Sequence, residues 1–134
     1  MKLLILHGPN MNLFGVRSSK KGDNITLDKI NRHIRKFIRH KNIEIKIMQT
    51  HSESKAVSYL HRNRKTFDGL ILTPGPWQHS GYILRDTLDI IELKTVIVML
   101  EENKSTNLFL DYKIIMNDII FSSYEQALLE YVSK

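Results

Sequence analysis

Leu3-Leu-Ile-Leu6 runs directly into His7-Gly-Pro-Asn-Met-Asn-Leu-Phe-Gly15, and this passage from an unbroken apolar run into turn residues decides the fold. Four consecutive apolar residues leave no polar face, so the strand they predict is buried on both sides, as in a parallel sheet covered by helices. Glycine, proline and asparagine then supply turn chemistry at the strand's carboxyl end. The pattern recurs where Gly69-Leu-Ile-Leu72 enters Thr73-Pro-Gly-Pro-Trp-Gln-His79. Two strand ends, each carrying amides and an imidazole, are therefore expected to face one pocket.

Working outward, buried strands are expected at Leu3 to Leu6, Ile43 to Met48, Gly69 to Leu72, Thr95 to Leu100 and Asp118 to Phe121. Helical spacing predicts helices at Thr26 to His40, Glu53 to Arg64, Ser80 to Ile91 and Ser123 to Val132, with a short one near Thr106 to Tyr112. Thr26 and Ser80 fit as amino-terminal caps, and either Ser123 with Gln126 or Ser122 with Glu125 fits a capping box. Short apolar strands alternating with crossover helices predict a flavodoxin-like α/β fold, a five-stranded parallel sheet with helices on both faces, as one domain over residues 1–134. Ligands of such sheets bind beyond the carboxyl ends of the strands, where strand order reverses. That rule brings together the segments His7 to Gly15, Thr73 to Ser80 and Glu101 to Ser105. The polar stretch Arg17 to Asn24 lacks an apolar anchor and is expected as a mobile loop beside them.

The chain has 134 residues, 42% of them hydrophobic and 25% charged, which suits one globular unit with a substantial core. It holds no apolar run long enough to span a bilayer and no secretory leader pattern, so a cytoplasmic location without membrane association is expected. Without cysteine, disulfides, thiolate nucleophiles and cysteine-ligated metals are excluded. The six histidines form no HxxxH or HExxH pair, so neither a metal nor a cofactor is expected. A formal charge of +6 favours anionic small molecules. Much of the excess lies at Arg32, Arg35, Lys36, Arg39, His40 and Lys41, opposite the apolar set Ile30, Ile34, Phe37 and Ile38. A solvated helix face explains that pattern better than a nucleic-acid surface, which would bring a recognisable motif or aromatic platform.

The stretches Gly8-Pro-Asn-Met-Asn12 to Gly15 and Thr73-Pro-Gly75 to His79, followed by Arg85-Asp86, together resemble the signatures of type II 3-dehydroquinate dehydratase. The resemblance is strong over the first two thirds of the chain and holds in outline thereafter. It implies the flavodoxin-like fold, a lyase of the shikimate pathway and of aromatic amino acid biosynthesis that removes water from 3-dehydroquinate to give 3-dehydroshikimate, and trimers packed into a dodecamer. In that chemistry a base removes a proton beside the ketone, a polar group stabilises the enolate, and an acid protonates the departing hydroxyl. The resemblance puts the enolate-side asparagine on Asn12, the loop arginine on Arg17 and the proton donor on His79. It assigns Thr73, Gly75, Arg85, Asp86, Leu100, Glu101 and Glu53 to the substrate-binding surroundings.

The same matching exposes departures. The family's base tyrosine falls on Gly22, its substrate-orienting histidine on Met99 and its substrate-clamping arginine on Leu110. Thr73 replaces an asparagine, and Glu101 replaces a serine in the turn that receives the substrate carboxylate. No tyrosine precedes Tyr59, so no realignment of the loop restores the base. Loss of a general base alone removes about 100-fold to 10,000-fold in rate. The leading expectation is a dehydratase-like protein, a pseudoenzyme or strongly impaired enzyme. The alternatives are an active dehydratase using Lys20, Lys21 or Tyr82 as base, and a non-catalytic module that binds a small ligand or a protein through surface that includes Met99 and Leu110.

Overall fold

A computed structural model describes residues 1–100 and 107–132. Five parallel strands, β1 (Lys2–His7), β2 (Glu44–Gln49), β3 (Gly69–Thr73), β4 (Thr95–Val98) and β5 (Lys113–Ile115), form one sheet in the order β2-β1-β3-β4-β5. This is the flavodoxin-like order, which reverses between β1 and β3. At that point the register places His7 beside both Gln49 and Thr73, so the two apolar runs end side by side.

The helices are α1 (Phe14–Lys20), α2 (Leu27–Phe37), α3 (Glu53–Asn63), α4 (Trp77–Ser80), α5 (Tyr82–Ile91) and α6 (Ile120–Leu129). Strand alternation sorts the core into two layers. Leu3, Ile5, Ile71, Val96 and Val98 pack with Ile30 and Ile34 of α2 and with Tyr124, Ala127 and Leu128 of α6. Leu4, Leu6, Leu70, Leu72 and Ile97 pack with Ala56 and Leu60 of α3 and with Leu84 and Leu88 of α5. Thr26 caps α2 as expected, its hydroxyl accepting from Lys29 N at 3.2 Å, and Ser52, which the sequence reading did not single out, caps α3 by accepting from Lys55 N at 3.1 Å.

Several expected elements fall elsewhere. The fifth strand is Lys113–Ile115, not Asp118 to Phe121, because Ile120, Tyr124, Ala127 and Leu128 are buried at helical spacing while Ile119 is exposed. Asn117 turns the chain into that helix by accepting from Ile119 N at 2.9 Å. Both serines of the alternative capping boxes therefore lie inside α6, which begins without a side-chain cap. Ser80 does not cap either; it is the last residue of α4, its hydroxyl donates to Pro76 O at 3.3 Å, and the expected helix begins after Gly81 as α5. From residue 107 the segment near Tyr112 is a turn rather than a helix, and Thr106 lies outside the described residues. Arg17 to Lys20, expected in a loop, are helical and anchored by buried Ser18, whose hydroxyl accepts from Ile25 N at 2.9 Å.

At the opposite end of the sheet, the Tyr131 hydroxyl lies 2.6 Å from Leu70 O, 2.8 Å from Lys94 O and 3.2 Å from Leu70 N. Its ring packs against Gly69, where an added Cβ would overlap the ring atoms. The Gly69→Ala variant is expected to lose about 1–3 kcal/mol through this overpacking, read as a lower midpoint in urea unfolding.

Candidate active site

The carboxyl ends of β1 and β3 are polar and sealed. His7 is 0% exposed and Thr73 1%. His7 Nε2 lies 2.9 Å from Asn31 Oδ1, its Nδ1 lies 3.3 Å from the Tyr124 hydroxyl, and that hydroxyl lies 2.6 Å from Thr73 Oγ1. Burial lowers the His7 pKa from 6.5 to about 4, with the Asn31 hydrogen bond opposing the shift, so the ring is neutral near pH 7. Burial pushes the Tyr124 phenol well above its ordinary value, only partly offset by Thr73. The backbone follows the side chains: Gly8 N donates to Thr73 O at 2.9 Å, and Gln49 Nε2 donates to Gly8 O at 3.2 Å. Beyond the strand, Asn10 sits at φ 67° and donates its amide to His51 Nδ1 at 3.1 Å.

The sequence-predicted residues divide among three settings. Asn12, in the short 3-10 turn Met11–Leu13 after β1, and His79, in α4 after β3, are exposed at the carboxyl edge of the sheet. Gly75, at φ +54°, turns the chain between Thr73 and α4. Arg17 and Leu100 line a cavity of about 300 Å³ with Lys21, Phe14, Ile25 and Ile120. Glu101 lies outside the described residues.

The remaining positions serve the scaffold. Glu53 Oε2 accepts from Leu84 N at 2.9 Å, capping the start of α5 from the neighbouring α3. Arg85 forms a bidentate pair with Asp111 at 2.5 and 2.7 Å, donates to Leu108 O at 2.5 Å, pairs with Asp89 at 3.1 Å and covers the Tyr112 ring. These bonds raise its pKa further and hold the Asp111 carboxyl below its ordinary value. They clamp the 108–111 turn onto α5. Asp86 is exposed. Met99 is a core residue at 5% exposure, whereas Leu110 is 67% exposed on the clamped turn. The two therefore do not form the enclosed apolar surface expected from the sequence.

Gly22 has a specific structural role. Asp23 N donates to Ser18 O at 3.0 Å and Gly22 N to Ser19 O at 3.1 Å, the Schellman pattern that closes α1, and Gly22 occupies its left-handed position at φ +82°. Among the described residues no group of three or more acidic or histidine side chains is placed to hold a metal ion. No described helix is long and apolar enough to cross a membrane. The sequence reading missed Tyr124 and Asn31. Their signals were faint: an asparagine beside the apolar stripe of α2, and a tyrosine in the core spacing of α6.

Residues 1–130 match the model of one protein family, dehydroquinase class II. The 3-dehydroquinate dehydratase of Pelotomaculum thermopropionicum is 34% identical over 115 residues, covering 86% of this chain and 80% of that protein. That of Thermotoga neapolitana is 36% identical over 98 residues, 73% of this chain and 66% of that protein. Among solved structures, type II dehydroquinase from Butyrivibrio crossotus superposes with a TM-score of 0.82 at 23% identity, over 97% of this chain and 96% of that one. A 3-dehydroquinate dehydratase-like protein from Bifidobacterium longum superposes with a TM-score of 0.72 at 17% identity, over 97% and 94%. At these identities the likeness to the two structures is one of fold.

The His7 environment predicts a pH dependence. Between about 4 and 6.5 the unfolded chain binds a proton that the folded protein refuses, so stability rises with pH across that window. The contribution is complete above the unfolded value and is lost as pH falls toward the folded one, on the order of 3 kcal/mol in all. Urea unfolding across the window should show this rise in the native chain and a flatter profile in His7→Asn.

Proposed function

The chain belongs to the class II dehydroquinase family of lyases, and we propose that it is a member whose dehydration of 3-dehydroquinate is lost or strongly impaired. The observation that carries this reading is Gly22. The position matched to the family's base is the glycine that terminates α1, exposed, at φ +82°, with open space where a Cβ would be. A tyrosine forced into that left-handed backbone would cost about 1–2 kcal/mol. Here a helix stop stands where the reaction needs a phenol.

Three of the five tyrosines, Tyr112, Tyr124 and Tyr131, are poorly suited to replace that base, and Tyr59 packs against Phe67. Burial and the Asp89 hydrogen bond push Tyr112 up to about 12, and burial raises Tyr124 and Tyr131 as well. A good base near neutral pH has a pKa near the working pH, and these three phenols are shifted away from it. Tyr82 is 64% exposed on α5. Substrate binding is weakened too in this reading, since the positions of the orienting histidine and clamping arginine hold Met99 and Leu110, one in the core and one on the surface. Asn12 is the retained enolate-side group, Arg17 the retained cation and His79 the retained acid. The protein is then a dehydratase-like, cytoplasmic homo-oligomer that binds a small anionic ligand through Arg17 and the strand-end loops, without metal or cofactor.

A second reading is favoured by one observation. Lys21, adjacent to Gly22, lines the same cavity as Arg17, among the apolar Phe14, Ile25, Leu100 and Ile120 and the carboxylates Asp23 and Asp118. Its place beside Gly22 in sequence and beside Arg17 in space makes its amine the substitute base to test. Ultraviolet absorbance of the conjugated enone, followed after adding 3-dehydroquinate to the native chain and to His79→Ala, separates the two. Equal traces are expected. A native rate that disappears in His79→Ala would establish a working dehydratase, and loss of that rate in Lys21→Met would identify its base.

A further inference from the structure

We infer that Tyr124 is a positioning residue for the candidate site, holding the ends of β1 and β3, and the two loops that leave them, through a hydrogen-bond chain of fixed direction. The inference rests on the reading of those strand-end loops as the ligand site. The direction of the chain follows from the donor inventory. Asn31 Oδ1 can only accept, so His7 Nε2, 2.9 Å away, carries the proton. A neutral ring has one N–H, which leaves Nδ1 bare, so the Tyr124 hydroxyl donates to it at 3.3 Å. The Tyr124 oxygen then accepts from the Thr73 hydroxyl at 2.6 Å. Every group in the chain has one assignment, running Thr73 to Tyr124 to His7 to Asn31.

Three consequences follow. The Thr73 hydroxyl is committed inward as a donor and is 1% exposed, so the end of β3 meets a ligand through its backbone and through Gly75 rather than through that oxygen. The residues immediately before Gly8 and Pro74 are joined twice, by Gly8 N to Thr73 O along the backbone and by the Tyr124 bridge between the side chains. The bridge comes from α6, 51 residues beyond Thr73 and 117 beyond His7, so the spacing of the loops carrying Asn12 and His79 depends on how that helix docks. The same geometry excludes Tyr124 as a replacement base, since its proton is already given to a buried acceptor and its ring edge meets His7 at a centroid distance of 5.6 Å with no path to solvent.

Tyr124→Phe keeps the ring that packs the core and removes only the bridge. In the native chain, side-chain nitrogen NMR should show His7 with a protonated Nε2 and a bare, accepting Nδ1, unchanged between about pH 5 and 8. A protonated Nδ1 would overturn the assigned direction. Binding of 3-dehydroshikimate, measured by calorimetry, should weaken about threefold to tenfold in Tyr124→Phe and in Thr73→Val, no further in the double variant, and not in Thr73→Ser. Native affinity in Tyr124→Phe would reduce the chain to a structural one and overturn the proposal. If the native chain binds no 3-dehydroshikimate, the dehydratase-like reading of the pocket fails. The positioning role is then decided by amide exchange at Gly8 and Gly75, expected to quicken in Tyr124→Phe; unchanged exchange would overturn it.

Discussion

A parallel sheet covered on both faces must end its strands somewhere, and here two of them end in polar residues that water cannot reach. His7 and Thr73 lie side by side at 0% and 1% exposure, and an unpaired polar group in such a place costs about 1–3 kcal/mol. The rest of the structure is arranged around meeting that demand. Asn31 comes from α2 and Tyr124 from α6, so the helices that cover one face of the sheet are docked by polar bonds as well as by the apolar layer of Ile30, Ile34, Ala127 and Leu128. No buried side-chain nitrogen or oxygen among the described residues is left without a partner. The carboxyl edge of the sheet is thereby made rigid beneath the loops that carry Asn12 and His79.

Above that floor, several positions that chemistry would claim are occupied by the needs of the scaffold. Arg85 is held by two aspartates, a carbonyl and an aromatic face, an arrangement that uses both edges of its guanidinium to fix a turn. Glu53 spends its carboxylate on the open end of α5, which has no cap of its own. Gly22 closes α1. A chain that has given these groups structural work keeps the family's architecture, and on the proposed reading its dehydration chemistry lacks a proton acceptor. Under the proposed reading, Asn12, Arg17 and His79 are the groups left for a ligand of the ancestral kind.

Amphipathic spacing made α2 and α3 legible to within a few residues, because each shows an apolar stripe, and α2 also shows the capping hydroxyl of Thr26 at its start. The carboxyl-terminal third was read less well for a definite reason. Ile114-Ile-Met116 and Ile119-Ile-Phe121 are equally apolar and equally short, and periodicity over three residues cannot tell a strand from the first turn of a helix. What separates them is pairing: Lys113–Ile115 finds β4 beside it, and Ile120 finds the far side of the core.

By itself the sequence determined the strand-helix alternation, the parallel sheet and the identity of the two strand-end loops, since those follow from local patterns of burial and turn residues. It also showed that no tyrosine precedes Tyr59, because an absent residue type needs no geometry to be seen. Only the tertiary structure decided which of the motif's polar groups are engaged in holding the fold, as Arg85, Glu53 and Thr73 are. That division depends on contacts between residues as far apart as His7 and Tyr124, or Arg85 and Asp111, and hydrogen bonds of short reach between distant segments leave no periodic trace in the chain.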